Sequence, residues 1–303
     1  MVEDNEIYRF MSIYEFYKLI FNKKLKLTKV NIQSDKNDGI ESILNSLVSG
    51  ISPTEYPSLK KSFDSSRKCR YITCWTQSFD SIAMWLLYSK NEESIRVKTR
   101  LSKLKETLLN FTEDYSCWTQ WNRPTENMVL IQGMESVQEV EYKNIREVIE
   151  QIRKDISEFK KKYSQTFEID PNYYKGKFIE DYFTFYDDLS NKYTCKAPIK
   201  DESYSFEQEV RGEVYAGLKV DEKSENDWNS KNDVERIPVK DDLSDVLGSV
   251  IYAPVNDDFI EEVCFDPRMP AYKREVIFAL FNLEQIKITE SPVFEPALPL
   301  LSE

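Results

Sequence analysis

Apolar and polar positions change period repeatedly along this chain, and those changes outline its elements. Glu6 to Phe10 predicts a short first strand. Ser12-x-x-Glu15 forms a capping box for a helix over Ile13 to Phe21, with Ile13, Phe16, Tyr17 and Ile20 on one face. Leu25 to Val30 alternates as a strand does. Asn31 to Gly39 predicts a polar loop, followed by a weakly periodic helix through Val48. Pro53, Pro57 and the serine-rich Ser62 to Ser66 mark an exposed connection.

The stretch from Cys74 to Thr99 is the most strongly patterned. Tyr71 to Trp75 carries the β-branched and aromatic residues of a strand. Ser78 and Asp80 offer caps for a following helix. Ile82, Met84, Trp85, Leu86, Leu87 and Tyr88 make that helix apolar on most sides, which predicts a core position. Ile95 to Thr99 alternates and predicts a half-buried strand.

Beyond it, Ser102 predicts the cap of a helix over Lys103 to Asn110. Asn127 to Gln132 and Val137 to Tyr142 predict a hairpin around Gly133-Met134-Glu135. Ile145, Val148, Ile149, Ile152, Ile156, Phe159 and Tyr163 mark the clearest helix, Asn144 to Tyr163. Asp170-Pro171 ends that pattern, and the aromatic tract Tyr173 to Tyr193 predicts another helix. Ser205 to Gly217 predicts a strand and Asp221 to Asp233 a polar loop. Strands are expected at Val250 to Ala253, Val263 to Phe265 and Ile286 to Ile288. A helical turn over Asp257 to Glu261 and a helix over Tyr272 to Leu283 complete the outline. With a hairpin and no βαβ fingerprint, the expected class is α+β: a mixed, mainly antiparallel sheet with packed helices. One domain over residues 1–303 is expected, with a helical insertion around 143–193.

Composition narrows the chemistry more than the fold. The chain has 303 residues, no histidine and seven glycines. Without histidine, Ser-His-Asp and Cys-His catalysis, histidine zinc sites and imidazole bases are excluded. None of the glycines forms a dinucleotide or P-loop cradle. Catalysis here would have to use carboxylates, hydroxyls, Arg, Lys or Cys. The five cysteines have no metal-ligand spacing and suit reduced core positions. A formal charge of −12 argues against general nucleic-acid binding. No run is long and apolar enough to span a membrane, and the acidic N-terminus lacks the features of a secretory signal, so a cytoplasmic location is expected.

Glu207-Gln208-Glu209-Val210-Arg211 is the first chemical candidate. On a strand, Glu207, Glu209 and Arg211 share one face. Such a row is costly in a sheet interior unless it is paired or wet, so a solvated edge or a buried Glu-Arg pair is the plain alternative.

Two resemblances bear on this. The Cys-Trp strand end, Ala-Met-Trp-x-x-Tyr helix and Ile-Arg-Val-Lys-Thr strand resemble a bacterial and phage domain-of-unknown-function family. Its pattern continues at Val140-Glu141-Tyr142, at Phe206 to Arg211 and from Ile251 to Ser291. Separately, the order Arg9, then Trp75-Thr76-Gln77-Ser78, then Glu207-Gln208-Glu209 resembles the Arg–Ser–Glu pattern of ADP-ribosyltransferases. That resemblance implies NAD as substrate, with Arg9 on its phosphates. It also implies that Thr76 or Ser78 orders the site, while Glu207 and Glu209 support the cationic transition state. No metal is expected. Trp75 and Tyr88 are stacking candidates, although Tyr88, like Trp85, also fits a core. Arg211 has no counterpart in the pattern; it joins the binding set or neutralises Glu209.

Two functions follow as expectations. One is an NAD-consuming ADP-ribosyltransferase-like protein or NAD glycohydrolase, acting as a toxin or anti-phage effector. It requires the strands bearing Arg9, Thr76 and Glu209 to adjoin and their side chains to converge. The other is a non-catalytic sensor or binding module for a nucleotide or protein partner, contacting it through the central helix and the aromatic tract. A metal-dependent nuclease or phosphatase is the weaker third reading, because no Asp-x-Asp cluster lies at a predicted strand end.

Overall fold

The computed structural model describes residues 4–33, 35, 37–48, 63–64, 66–115, 128–130, 136–169, 177–218 and 248–295. The fold is α+β, a mainly antiparallel mixed sheet with packed helices. The chain divides into two compact units: residues 1–32, 68–139 and 206–303 form the first, and 33–67 with 140–205 form the second. Residues 143–193, expected as a helical insertion, fall in the second. The polar loop expected over 221–233 lies outside the described residues.

The first unit is built on a ten-stranded sheet. Its strands are β1 (Glu6–Ser12), β2 (Lys24–Lys29), β3 (Arg70–Thr76), β4 (Ser94–Arg100), β5 (Met128–Leu130) and β6 (Ser136–Glu139). With them run β9 (Glu209–Leu218), β10 (Val250–Pro254), β11 (Glu262–Phe265) and β12 (Lys287–Thr289). The main path runs β10-β2-β3-β1-β4-β11-β12. β9 pairs with β3 over its first seven residues, Glu209 to Tyr215. All pairings are antiparallel except β11 with β12.

Helices α1 (Ile13–Phe21), α3 (Ile82–Tyr88), α4 (Leu101–Tyr115) and α7 (Ala271–Phe281) belong to this unit. Residues on one sheet face, among them Ile7, Trp75, Val97, Val210, Val214 and Val263, pack with Phe16, Leu104, Leu108 and Phe111 into its main core. Gly212 allows that packing, because a Cβ there would lie 2.8 Å from Leu108 Cδ1 and 2.9 Å from Thr73 Cγ2.

The second unit has its own core. Helix α2 (Glu41–Val48) contributes Leu44 and Val48, α5 (Ile145–Ile169) contributes Ile152, and α6 (Lys177–Tyr193) contributes Leu189. Phe159 and Phe185 stack at 3.9 Å. Asp155 accepts bonds from Gln151 (2.7 Å), Lys192 (3.1 Å) and Tyr193 (2.9 Å) across this helix pair. Strands β7 (Glu141–Lys143) and β8 (Ile199–Asp201) pair in parallel.

Several expectations are met closely. Ser12 caps α1 by accepting the Glu15 N–H, and helices at 145–169 and 177–193 stand where periodicity placed them. Others are corrected. The predicted hairpin does not form, because β5 and β6 each pair with β9, whose ten residues hold both along one edge. Ile95 to Thr99 is not half-buried: β4 lies between β1 and β11, and Arg96 is only 1% exposed. Ser81, not Ser78 or Asp80, caps α3. Ser102 lies inside α4 and donates its hydroxyl to Asp4 (2.8 Å).

Two outcomes check this account. Gly212→Ala should lower unfolding free energy by about 1–2 kcal/mol, because the new methyl overpacks Leu108 and Thr73. The second concerns Asp266, which is wholly buried and accepts Arg268 Nε (3.0 Å), Nη2 (2.7 Å) and backbone N–H (2.9 Å). Burial pushes its carboxyl up, but the bonds from Arg268 outweigh burial and hold it below the ordinary 3.8. A depressed folded pKa gives stability that is complete above the unfolded value and is lost as pH falls through the folded one. Asp266→Asn should therefore cost roughly 2–3 kcal/mol at neutral pH in urea unfolding. The gap from wild type should narrow below about pH 4.

Candidate functional site

The strands bearing the candidate residues do adjoin. Tyr8 on β1 faces Thr76 on β3, and Thr76 faces Glu209 on β9. Directly paired residues share a sheet face, and neighbours along each strand alternate. Thr76, Glu209 and Arg211 therefore share one face with Tyr8 and Phe10. Arg9, Trp75 and Val210 point to the other.

That parity separates the expected phosphate ligand from the expected catalytic carboxylate. Arg9 bonds Thr73, the Lys26 carbonyl (3.3 Å) and Glu15 (2.5 Å), and its guanidinium lies 5.8 Å from the Trp75 ring. Trp75 is 2% exposed, donates its indole N–H to Thr73 Oγ1 (3.2 Å) and packs edge-on against Phe259. Arg9 and Glu209 both line the small cavity described below, but the Arg9 guanidinium turns to the opposite face and is bonded there. Trp75 is a core residue that also lines that cavity.

Glu207 reaches the carboxylate face by a route that simple alternation does not predict. It ends a 3-10 turn, Glu202–Glu207, and the strand begins only at Glu209. Between them Gln208 takes φ +42°, the left-handed region that side chains rarely adopt. Three bonds hold this kink against the end of β3. The Thr76 hydroxyl donates to the Glu207 carbonyl (2.5 Å) and accepts the Ser78 N–H (2.9 Å), while the Gln77 N–H donates to the Gln208 carbonyl (3.0 Å). The Thr76 oxygen is thus spent on backbone, where it holds the kink in place. Ser78 takes part through its N–H.

Tyr88, at the end of α3, donates its hydroxyl to Glu207 Oε1 (2.6 Å). Glu209 accepts Arg211 Nε (2.8 Å), with 3% and 0% of those side chains exposed. Further along the same face Arg70 grips Glu213 through Nε (3.0 Å) and Nη2 (2.7 Å). The row is thus a buried ion-pair ladder. Such pairs break roughly even against apolar residues, yet losing one partner strands the other at about 3–5 kcal/mol.

A cavity of about 50 Å³ is lined by Thr76, Met84, Tyr88, Glu207 and Glu209, together with Arg9, Trp75 and their strand neighbours Tyr8, Phe10 and Cys74. It holds roughly one or two waters. Ligand pockets for nucleotide-sized molecules run to about 300–1,000 Å³. The site as folded gathers two carboxylates and two hydroxyls, with each group named here already bonded within the unit.

Periodicity also misplaced α3. Only Met84 and Trp85 are buried, against Phe10 and Cys264. Ile82, Leu86, Leu87 and Tyr88 are 47, 59, 58 and 44% exposed, so the helix presents an apolar outward face rather than filling a core. Asp80, expected as a cap, instead gathers bonds from Trp85 Nε1 (3.2 Å), Arg96 (3.3 Å) and Ser291 Oγ (2.8 and 2.6 Å). Arg96 also stacks 4.6 Å from Phe79 and 5.4 Å from Tyr8. Burial and the bond to Glu6 push the Tyr8 phenol far above its usual range. Burial raises the Cys264 thiol to about 11, which suits a core thiol rather than a nucleophile. Among the described residues no group of three or more Cys, Asp or Glu is placed to hold a metal.

Urea unfolding tests the ladder. Arg211→Met should cost about 3 kcal/mol, and adding Glu209→Leu should restore most of the loss. A double variant as unstable as the sum of its singles would show that the pair does not act as a unit. No protein-family model, curated protein or solved structure matches the chain.

Proposed function

We propose that the protein is a binding module that recognises a protein partner through the outward face of α3, and that the carboxylate ladder is part of its framework. The observation carrying this reading is the exposure of Ile82, Leu86 and Leu87 on a single seven-residue helix. Scattered exposed leucines need no explanation, but clustered ones usually mark an interaction surface. Phe79, 51% exposed, extends the apolar stretch at the helix start.

The helix is presented rigidly. Ser81 caps it, the Ser89 N–H donates to the Trp85 carbonyl, and Arg268 Nη2 reaches the same carbonyl at 3.2 Å. Trp85 anchors it edge-on to Phe10 with ring centroids 4.6 Å apart. A fixed apolar face loses little conformational entropy on binding, and each large side chain it buries contributes roughly 1.5–3 kcal/mol. Helix-in-groove recognition uses such a face at i, i+4 spacing, as in Ile82 and Leu86. Arg9 and Glu209, pointing to opposite sheet faces, weigh against the enzyme.

A second reading keeps NAD cleavage by an ADP-ribosyltransferase or glycohydrolase mechanism. It is favoured by the gathering of Thr76, Tyr88, Glu207 and Glu209 about one cavity, with left-handed Gln208 between the carboxylates. Strained residues of this kind cluster at active sites. Paired carboxylates can stabilise an oxocarbenium-like transition state. Here Tyr88 would have to swing off Glu207 to admit the ligand, and phosphates would need an anchor other than Arg9.

One set of measurements separates the two. The binding-module reading expects no nicotinamide release from NAD by wild-type protein. It also expects Leu86→Asp/Leu87→Asp to change stability by only about 0.5 kcal/mol, since both side chains already face water. A photo-crosslinker at position 82 should give one discrete protein adduct in extracts of the source cell, lost in that double variant. Nicotinamide release that disappears in Glu209→Gln would overturn the module in favour of the enzyme.

A further inference from the structure

A cleft of the first unit lies away from the carboxylate ladder, and its position follows from topology. β11, α7 and β12 form a strand-helix-strand crossover with parallel neighbours, pairing Val263 with Ile288 and Cys264 with Thr289. In such units ligands bind beyond the carboxyl ends of the strands. A cleft of about 480 Å³ opens there, within the size range of small-molecule sites. It is bounded by Phe265 at the end of β11, by Glu275 and Phe278 on α7, and by Glu290, Phe294 and Glu295 after β12.

The walls are fixed before any ligand arrives. Thr289 donates to Glu262 (2.9 Å), and Ser291, 5% exposed, donates to Asp80. Arg274 lines the cleft, but its guanidinium is committed to the carbonyls of Met269 (2.9 Å), Pro267 (2.6 Å) and Asp266 (3.4 Å). Its donors hold the loop between β11 and α7 and are not offered to an anion. Glu275, Glu290 and Glu295 form no ion pair among the described residues. Three carboxylates thus stand against the guanidinium of Arg274 and that of nearby Arg268, which Asp266 pairs at 2.7 Å, within a chain of formal charge −12. Three phenyl rings supply faces that attract cations, and Phe294 already carries the Arg268 guanidinium at 4.9 Å from its centroid.

We propose that this cleft binds a small organic cation, an ammonium group carried on an apolar or aromatic body. Its carboxylates supply the charge, and Phe265, Phe278 and Phe294 enclose the apolar part. An anionic ligand of the same size meets the carboxylates and no available donor from Arg274.

Calorimetric titration of the full-length protein with benzyltrimethylammonium tests this, with phenylacetate as the anion of similar body. Saturable binding of the cation and none of phenylacetate is expected. Glu275→Gln/Glu290→Gln should weaken the cation about tenfold, and Phe294→Leu should weaken it as well. The glutamates are exposed, so an unchanged thermal melt identifies the loss as one of binding. No saturable binding of the cation, equal binding of phenylacetate, or full affinity in the double glutamine variant would overturn the proposal.

Discussion

The ion-pair ladder along β9 is the constraint on which the first unit depends. β9 pairs with β3, β5 and β6, which places it inside the sheet, and its side chains on both faces are buried. One face is apolar, through Val210, Val214 and Ala216. The other carries Glu209, Arg211 and Glu213, none more than 5% exposed. Charges so placed are tolerable only if every member finds an opposite partner in good geometry. Arg211 supplies one for Glu209 within β9, and Arg70 supplies one for Glu213 across to β3, which helps tie the two strands in a single register. A one-residue slip would turn all three charges into the apolar core.

The same device recurs elsewhere on that face. Arg96 on β4 pairs with Asp80, and Lys98 pairs with Glu6 and Glu262. Apolar packing on one face gives the unit its core, while paired charges on the other specify which strand meets which. α3 covers only part of this second face, with Met84 and Trp85, and turns its remaining apolar side chains to solvent.

This division explains what was legible in the sequence. Caps and periodicities act locally, so Ser12, the helix over 145–169 and most strands could be read directly. The alternation of Ile95-Arg96-Val97-Lys98 is as real as that of a half-wet strand. A charge paired inside and a charge in water look identical in sequence, and Asp80 and Glu262 lie too far along the chain to be foreseen as partners. The direction of the Arg9 side chain was hidden at the same level. Whether Arg9 and Glu209 share a face depends on the register of β1, β3 and β9, since moving either residue by one position reverses the answer. Glu207 reaches the expected face by another route: Gln208 at φ +42° breaks the period-2 rule from which its direction was inferred.

Asp80 joins the two surfaces that remain open for function. It stands two residues before α3, accepts the indole N–H that anchors that helix, and accepts the hydroxyl of Ser291 from the wall of the cation cleft. A carboxylate shared in this way positions both surfaces with one half-buried charge, which Arg96 neutralises. Moving Ser291 would leave Asp80 short of a donor and shift its balance toward Arg96 and Trp85. Occupancy of the cleft and the presentation of α3 are therefore connected by a short chain of bonded atoms rather than by distance alone. Such a chain transmits a signal only if its members have two arrangements of similar energy. The cap at Ser81 and the Trp85 packing hold α3 in one of them, so the physical argument favours a prebuilt recognition helix over a ligand-driven switch.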